Sequence, residues 1–119
     1  MLNLDTHILI HAMTGALRPA ERLLLEGSRW GISAIVLWEL GKLAQLGRIE
    51  VDLDDPELGR FLAAVQVWPL DLEVVRAISR LDFKSDPADE IIAATSLVHG
   101  VPLVTRDRTI RHSKVVPLA

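Results

Sequence analysis

Four carboxylates, Asp5, Glu39, Asp89 and Asp107, stand in apolar surroundings, where a charge is costly to bury unless something compensates it. Asp5 lies between Leu2-Asn3-Leu4 and Thr6-His7-Ile8-Leu9-Ile10. Glu39 shares one helical face with Ile35, Val36 and Leu43, and Lys42, three residues on, is spaced to pair with it. Asp89 belongs to Asp86-Pro87-Ala88-Asp89-Glu90, just ahead of the apolar run Ile91-Ile92-Ala93-Ala94. Asp107 ends Leu103-Val104-Thr105-Arg106-Asp107. If the four converge, their mutual repulsion raises carboxyl pKa values and calls for a cation. Ligands that are all oxygen select hard cations, Mg²⁺ or Mn²⁺, and such ions can clamp a phosphodiester, activate water and stabilise a leaving oxygen.

Each acid also has a structural reading. Asp5 can cap the helix that follows it, and Glu39 can be an edge residue whose stem covers apolar surface. Asp86 as N-cap, Pro87 at the first helical position and Asp89 in the first turn make a good helix start by themselves. The chain repeats the device at Asp55-Pro56, where no chemistry need be supposed. Thr105-Arg106-Asp107 can be an ordinary turn. What distinguishes the chemical reading is the placement of all four together, and that depends on the elements that carry them.

The hydrophobic pattern predicts short buried strands at 2–5, 30–32, 67–70, 102–105 and 115–118. Between them it predicts helices at 6–13, from Pro19 to near Gly27, at 34–46 after the cap Ser33, from Asp55-Pro56, at 72–81 after the cap Asp71, and from Asp86-Pro87 to Gly100, with a short helical turn after Asp107. Short strands alternating with helices imply right-handed crossovers, so the expected fold is α/β: a mainly parallel sheet of four to five short strands with helices on both faces. In such sheets ligands bind beyond the carboxyl ends of the strands, where strand order reverses. Asp5 and Asp107 each follow a strand. Glu39 and Asp89 project from helices able to cover the same sheet end.

With Leu4-Asp5-Thr6-His7, Ser33 through Glu39-Leu40, Asp86-Pro87-Ala88-Asp89 followed by Ile92-Ala93-Ala94-Thr95, and Leu103-Val104-Thr105-Arg106-Asp107, the chain resembles PIN-domain proteins. More narrowly it is similar to the VapC-type toxins of toxin–antitoxin pairs, over nearly its whole length, 1–119, as one PIN-like nuclease domain. The resemblance implies that Asp5, Glu39, Asp89 and Asp107 form an acidic site for Mg²⁺ or Mn²⁺. It also implies that Asp86 is a secondary acid, orienting the pocket or holding an outer-shell water, and that the hydroxyls of Thr6 and Thr105 steady carboxylates or water. RNA cleavage, homodimers and a small antitoxin encoded nearby follow from it as well. Glu90 departs from the pattern, since many relatives carry Arg after the third acid; an added negative charge could repel RNA or recruit a cation.

Composition bounds these expectations. The 119 residues suit one ordinary domain, half of them are apolar, and the absence of cysteine excludes disulfides and thiolate metal sites. The formal net charge of −3 shows no general basic surface. Arg106, Arg108, Arg111 and Lys114 nevertheless cluster beside Asp107 and could make a local field for phosphate, with Arg106, Arg108 and Arg111 as candidate substrate contacts. A mean hydropathy of +0.29 leaves apolar surface to bury in a homodimer or under an antitoxin segment. Nothing near Met1 resembles a targeting segment and no run is long enough to span a membrane, so a cytoplasmic protein is expected. His7 and His11, four apart, lack a third ligand for zinc, and His11 reads as a surface or interface residue. Scarce aromatic residues argue against a base-stacking platform. A receiver domain would need paired acids after the first strand and a Lys after a late one, and neither is present. An inactive, partner-binding PIN-like scaffold is the other alternative.

Overall fold

The computed structural model describes residues 1–119. Strand β1 (Leu2–Leu4) leads through Asp5 into helix α1 (Thr6–Thr14), followed by α2 (Pro19–Glu26) and β2 (Trp30–Ser33). Then come α3 (Ala34–Gln45), α4 (Pro56–Ala63), β3 (Gln66–Trp68) and α5 (Leu72–Ala77), which tightens into a 3₁₀ turn at Ile78–Arg80. Helix α6 (Pro87–His99), β4 (Leu103–Val104) and the one-turn α7 (Arg108–Arg111) complete the chain. The helix expected over 72–81 therefore keeps its position and loses its regularity after Ala77. The last expected strand, 115–118, is reduced to one parallel bridge between Leu118 and Leu103.

The four strands are all parallel, in the order β3-β2-β1-β4, with Asn3 opposite both Gly31 and Leu103. The chain thus moves outward from β1 to β2 and β3, then returns to the other side of β1. In parallel sheets ligands bind in the crevice at such a reversal, which here falls beyond the carboxyl ends of β1 and β4. Successive strand residues face opposite ways, yet Leu2, Asn3 and Leu4 are all buried, so helices cover both faces of the sheet. Ile8, Leu9, Ile32, Val36, Ile92, Leu103 and Ile110 fill the core around these strands. Each such side chain contributes about 1.5–3 kcal/mol by leaving water.

Two close approaches explain local residue choices. A Cβ on Gly31 would stand 2.4 Å from the ring of Trp68, so only glycine lets β2 pass that indole. Trp68 itself stacks on His99 at 5.3 Å between ring centroids, tying β3 to the end of α6. Gly100 ends α6 at φ 64°, a conformation that suits a residue without Cβ.

Candidate active site at the sheet's carboxyl end

Asp5 is the hinge between β1 and α1. Its backbone N–H donates to Val104 O at 3.1 Å, extending the pairing of β1 with β4, and its Oδ1 accepts from Thr6 N at 2.8 Å. The carboxylate is buried, and Oδ2 accepts from Thr105 Oγ1 at 2.6 Å. Thr105 Oγ1 in turn accepts from Asp107 N at 3.0 Å. Asp107 Oδ1 caps α7 through Ile110 N at 3.0 Å. On the other side, Thr6 Oγ1 donates to Glu39 Oε1 at 2.5 Å, joining α1 to α3. One hydrogen-bonded line therefore runs Glu39–Thr6–Asp5–Thr105–Asp107 across the reversal point. The capping and the chemical readings of Asp5 and Asp107 coexist, because capping engages one oxygen of a two-oxygen group.

Asp89 approaches the line from α6. Helix α6 is held to β1 by Asn3, whose buried side-chain amide donates to Ile92 O at 3.1 Å and Ser96 Oγ at 2.9 Å. Asn3 Oδ1 is buried without a hydrogen-bond partner. Asp89 makes no hydrogen bond to the line, but it feels it electrostatically. Its pKa is raised, first by burial and then by the charges of Asp5, Asp107 and Glu39. A hydrogen bond from Ser85 Oγ to its Oδ2, 2.9 Å, works in the opposite direction.

The structure thus joins Asp5, Glu39 and Asp107 through two threonines and couples Asp89 to them through space. It does not close them into a cage: as the side chains stand, no three acids or histidines form a group able to hold a metal ion. The donor chemistry nonetheless fits a hard cation. Every group is a carboxylate or hydroxyl oxygen, and none of the four acids has a salt-bridge partner. Lys42 does not supply one, since it turns to Gln45 at 3.4 Å.

Several expectations need correction. Asp86 occupies the N-cap backbone position of α6, but its side chain makes no capping bond and is exposed. Ser85, one residue earlier, donates its hydroxyl to Asp89 and its backbone N–H to Glu90 Oε2 at 3.3 Å, bonds to side chains of the first turn rather than a cap. Glu90 is thus turned toward the backbone of Ser85. Ser85 was not singled out from the sequence, where a serine before Asp-Pro reads as loop. Its loop is anchored by Asp82, which accepts from Ser113 Oγ at 2.5 Å and Lys114 N at 2.7 Å.

Arg106, a candidate substrate contact, has its guanidinium engaged within the chain. Its guanidinium forms a two-pronged pair with Glu21, Nε to Oε2 and Nη2 to Oε1, both at 2.7 Å. It also reaches His11 Nε2 at 3.1 Å and Ala16 O at 3.3 Å. The planar fork matches a carboxylate so well that the internal acid occupies it. His11, expected at a surface or interface, is half-buried against this arginine. Arg108 is exposed, and Arg111 donates to Thr105 O at 3.3 Å from an otherwise exposed side chain.

Comparison with known proteins agrees with this fold. A family model described as PIN domain matches residues 3–115. Ribonuclease VapC22 of Mycobacterium tuberculosis is 30% identical over 96 residues, covering 77% of this chain and 73% of that protein. The structure of VapBC2 from Rickettsia felis, bound to a promoter DNA fragment, superposes with a TM-score of 0.74 at 19% identity, covering 100% of this chain and 98% of that one. DNA-bound VapBC from Salmonella typhimurium gives 0.73 at 24% identity, with the same coverage. FitAcB from Neisseria gonorrhoeae gives 0.73 at 20%, covering 99% and 96%. With the model matching nearly end to end and the parallel sheet presenting acids at its reversal point, this chain belongs to the PIN-domain family.

Proposed function

We propose that this protein is a metal-dependent endoribonuclease and the toxin of a toxin–antitoxin pair. The observation that carries the reading is the set of uncompensated carboxylates Asp5, Glu39, Asp89 and Asp107 at the crevice, with the pKa of Asp89 raised by burial and by the other three. Membership of the PIN family and the kinship with a ribonuclease supply the reaction class.

Asp5, Glu39, Asp89 and Asp107 would hold Mg²⁺ or Mn²⁺, whose chemistry is to polarise a phosphodiester and lower the pKa of water. The protein's own groups do the positioning. Thr6 fixes Glu39, and Thr105 fixes Asp5 while accepting from the Asp107 backbone, so each hydroxyl sets the direction of a carboxylate. Ser85 does the same for Asp89. Asp86, exposed at the start of α6, remains available as a secondary acid at the rim. Arg108 and Arg111, exposed beside Asp107, would attract RNA phosphates.

No helix is long and apolar enough to cross a membrane, and the reading places the protein in the cytoplasm with its RNA and its antitoxin. Trp38, Leu46 and Leu72 are 59%, 62% and 60% exposed, an amount of bare apolar surface that suits a homodimer and an antitoxin. The test is cleavage of an unstructured RNA by the purified protein. Cleavage is expected with Mg²⁺ or Mn²⁺, abolished by EDTA and suppressed by the neighbour-encoded protein. Cleavage that persists in EDTA, or none with either ion, overturns the reading.

A further inference from the structure

The turn Thr105-Arg106-Asp107 is held locally by its own hydrogen bonds, but the elements on either side of it are short. Strand β4 before it is two residues long and α7 after it is four, too short to keep its own orientation. Yet this turn supplies the hydroxyl that directs Asp5 and the carboxylate of Asp107. The side chain between them, Arg106, points away from both and crosses to the far end of α1 and the start of α2.

There it makes four contacts with three segments: His11 on α1, Ala16 in the following loop and both oxygens of Glu21 on α2. Glu21 is itself held by Arg18 N, which donates to Oε1 at 2.7 Å. Arginine has no acceptor, so its N–H donates to His11 Nε2 and the imidazole proton sits on Nδ1. The pair is mostly shielded, with side-chain exposures of 25% for Arg106 and 12% for Glu21. The connection closes a circuit. Asp5 starts α1, α1 leads to His11 and Glu21, these grip Arg106, and the neighbouring Thr105 donates back to Asp5. The turn is thereby braced against the helix that Asp5 begins.

We propose that Arg106 and Glu21 form a strut that sets the Thr105–Asp107 turn against Asp5, so that Arg106 is a positioning residue for the site rather than a contact to RNA phosphate. The proposal rests on the ribonuclease reading for its functional consequence, and on the circuit alone for its structural one.

The two roles of Arg106 give opposite results for Glu21→Gln, a substitution that keeps the acceptor for Arg18 N. For a strut, Glu21→Gln and Arg106→Gln lower kcat similarly, roughly tenfold, because small misplacements of reacting groups carry large rate penalties. KM for RNA stays unchanged, and the double variant is no worse than either single one. Arg106→Lys fails to rescue, since it keeps the charge and loses the fork. Mn²⁺ affinity measured calorimetrically falls along with kcat in Glu21→Gln. For a phosphate contact, Arg106→Gln raises KM, Arg106→Lys restores it, and Glu21→Gln, by releasing the arginine, leaves activity intact or improves it; that pattern overturns the proposal.

A readout independent of the reaction separates failure of the strut from failure of the ribonuclease reading. Amide exchange at Asp107, whose N–H donates to Thr105 Oγ1, should quicken roughly tenfold in Glu21→Gln if the brace holds the turn. Unchanged exchange at Asp107 overturns the strut whatever the protein does to RNA. Faster exchange in a protein that neither cleaves RNA nor binds Mn²⁺ keeps the strut and discards the nuclease.

Discussion

Two acidic neighbourhoods flank the turn at Arg106, and the chain treats them in opposite ways. Glu21 receives the whole guanidinium fork, and the Arg106 hydrogen bonds pull its pKa down to about 2. Asp89 receives only the Ser85 hydroxyl, and burial with the charges of Asp5, Asp107 and Glu39 pushes its pKa up. The turn holds the cation and the uncompensated acid side by side, as Arg106 and Asp107. The arginine nevertheless goes to Glu21, on the side away from the crevice, while none of the four crevice acids has an ion pair. A fold selected for stability alone gains nothing from leaving those charges unpaired. Compensated carboxylates stabilise the structure here, and uncompensated ones are the groups expected to meet a cation.

The sharpest way to break this contrast is to neutralise one of the unpaired crevice acids. Asp5→Asn or Asp89→Asn should reduce RNA cleavage a hundredfold or more, about 3 kcal/mol of barrier, because cation-held chemistry needs the full carboxylate set. Single-turnover cleavage by either variant at wild-type rate removes the distinction between the two regions.

A smaller effect concerns stability and acid. Glu21 has its folded pKa below the unfolded 4.5, so the stabilisation it provides is present above pH 4.5 and fades as pH falls toward about 2. Arg106→Gln should therefore lower the melting temperature at pH 6 by roughly 5 °C, after discounting for the solvent that reaches the pair, and by much less near pH 2.5. A deficit independent of pH would mean that Arg106 stabilises through packing alone.

Asp89 should show the reverse sign. Its folded pKa lies above the unfolded value, so the ionised group weakens the fold at neutral pH, and the penalty disappears as pH falls through the folded pKa. Asp89→Asn should raise the melting temperature in EDTA by roughly 3 °C, and saturating Mg²⁺ should erase that advantage by stabilising only the intact site. A difference indifferent to Mg²⁺ would separate Asp89 from any cation site. Least of all, Ser85→Ala should lower the melting temperature in EDTA by roughly 2 °C, because Asp89 loses the hydrogen bond that favours its charge. Ser85→Thr should restore it. Equal melting of all three proteins would show the Ser85 bond to be inconsequential.

Much of this molecule was determined by sequence. Parallel α/β architecture follows from buried strands too short to stand alone and helices marked by Ser33, Asp55-Pro56, Asp71 and Asp86-Pro87, since periodicity and capping are local properties of the chain. The four acids were equally legible, because a charge inside an apolar run is anomalous wherever the chain folds. Which side chains pair with which, by contrast, came from the packed fold. Nothing in the sequence singles out Glu21, and Arg106 reads as a cation for phosphate, yet they meet across 85 positions of sequence. Asp86 has every local mark of a cap, yet its side chain makes no capping bond, and Ser85 instead donates to Asp89 and Glu90. The final strand thinned to one bridge at Leu118. The physical reason is common to the two side-chain cases. Helix caps and hydrophobic faces are set by neighbours a few residues away, whereas a side chain's hydrogen-bond partner is set by which distant groups the packed core carries within 3 Å of it.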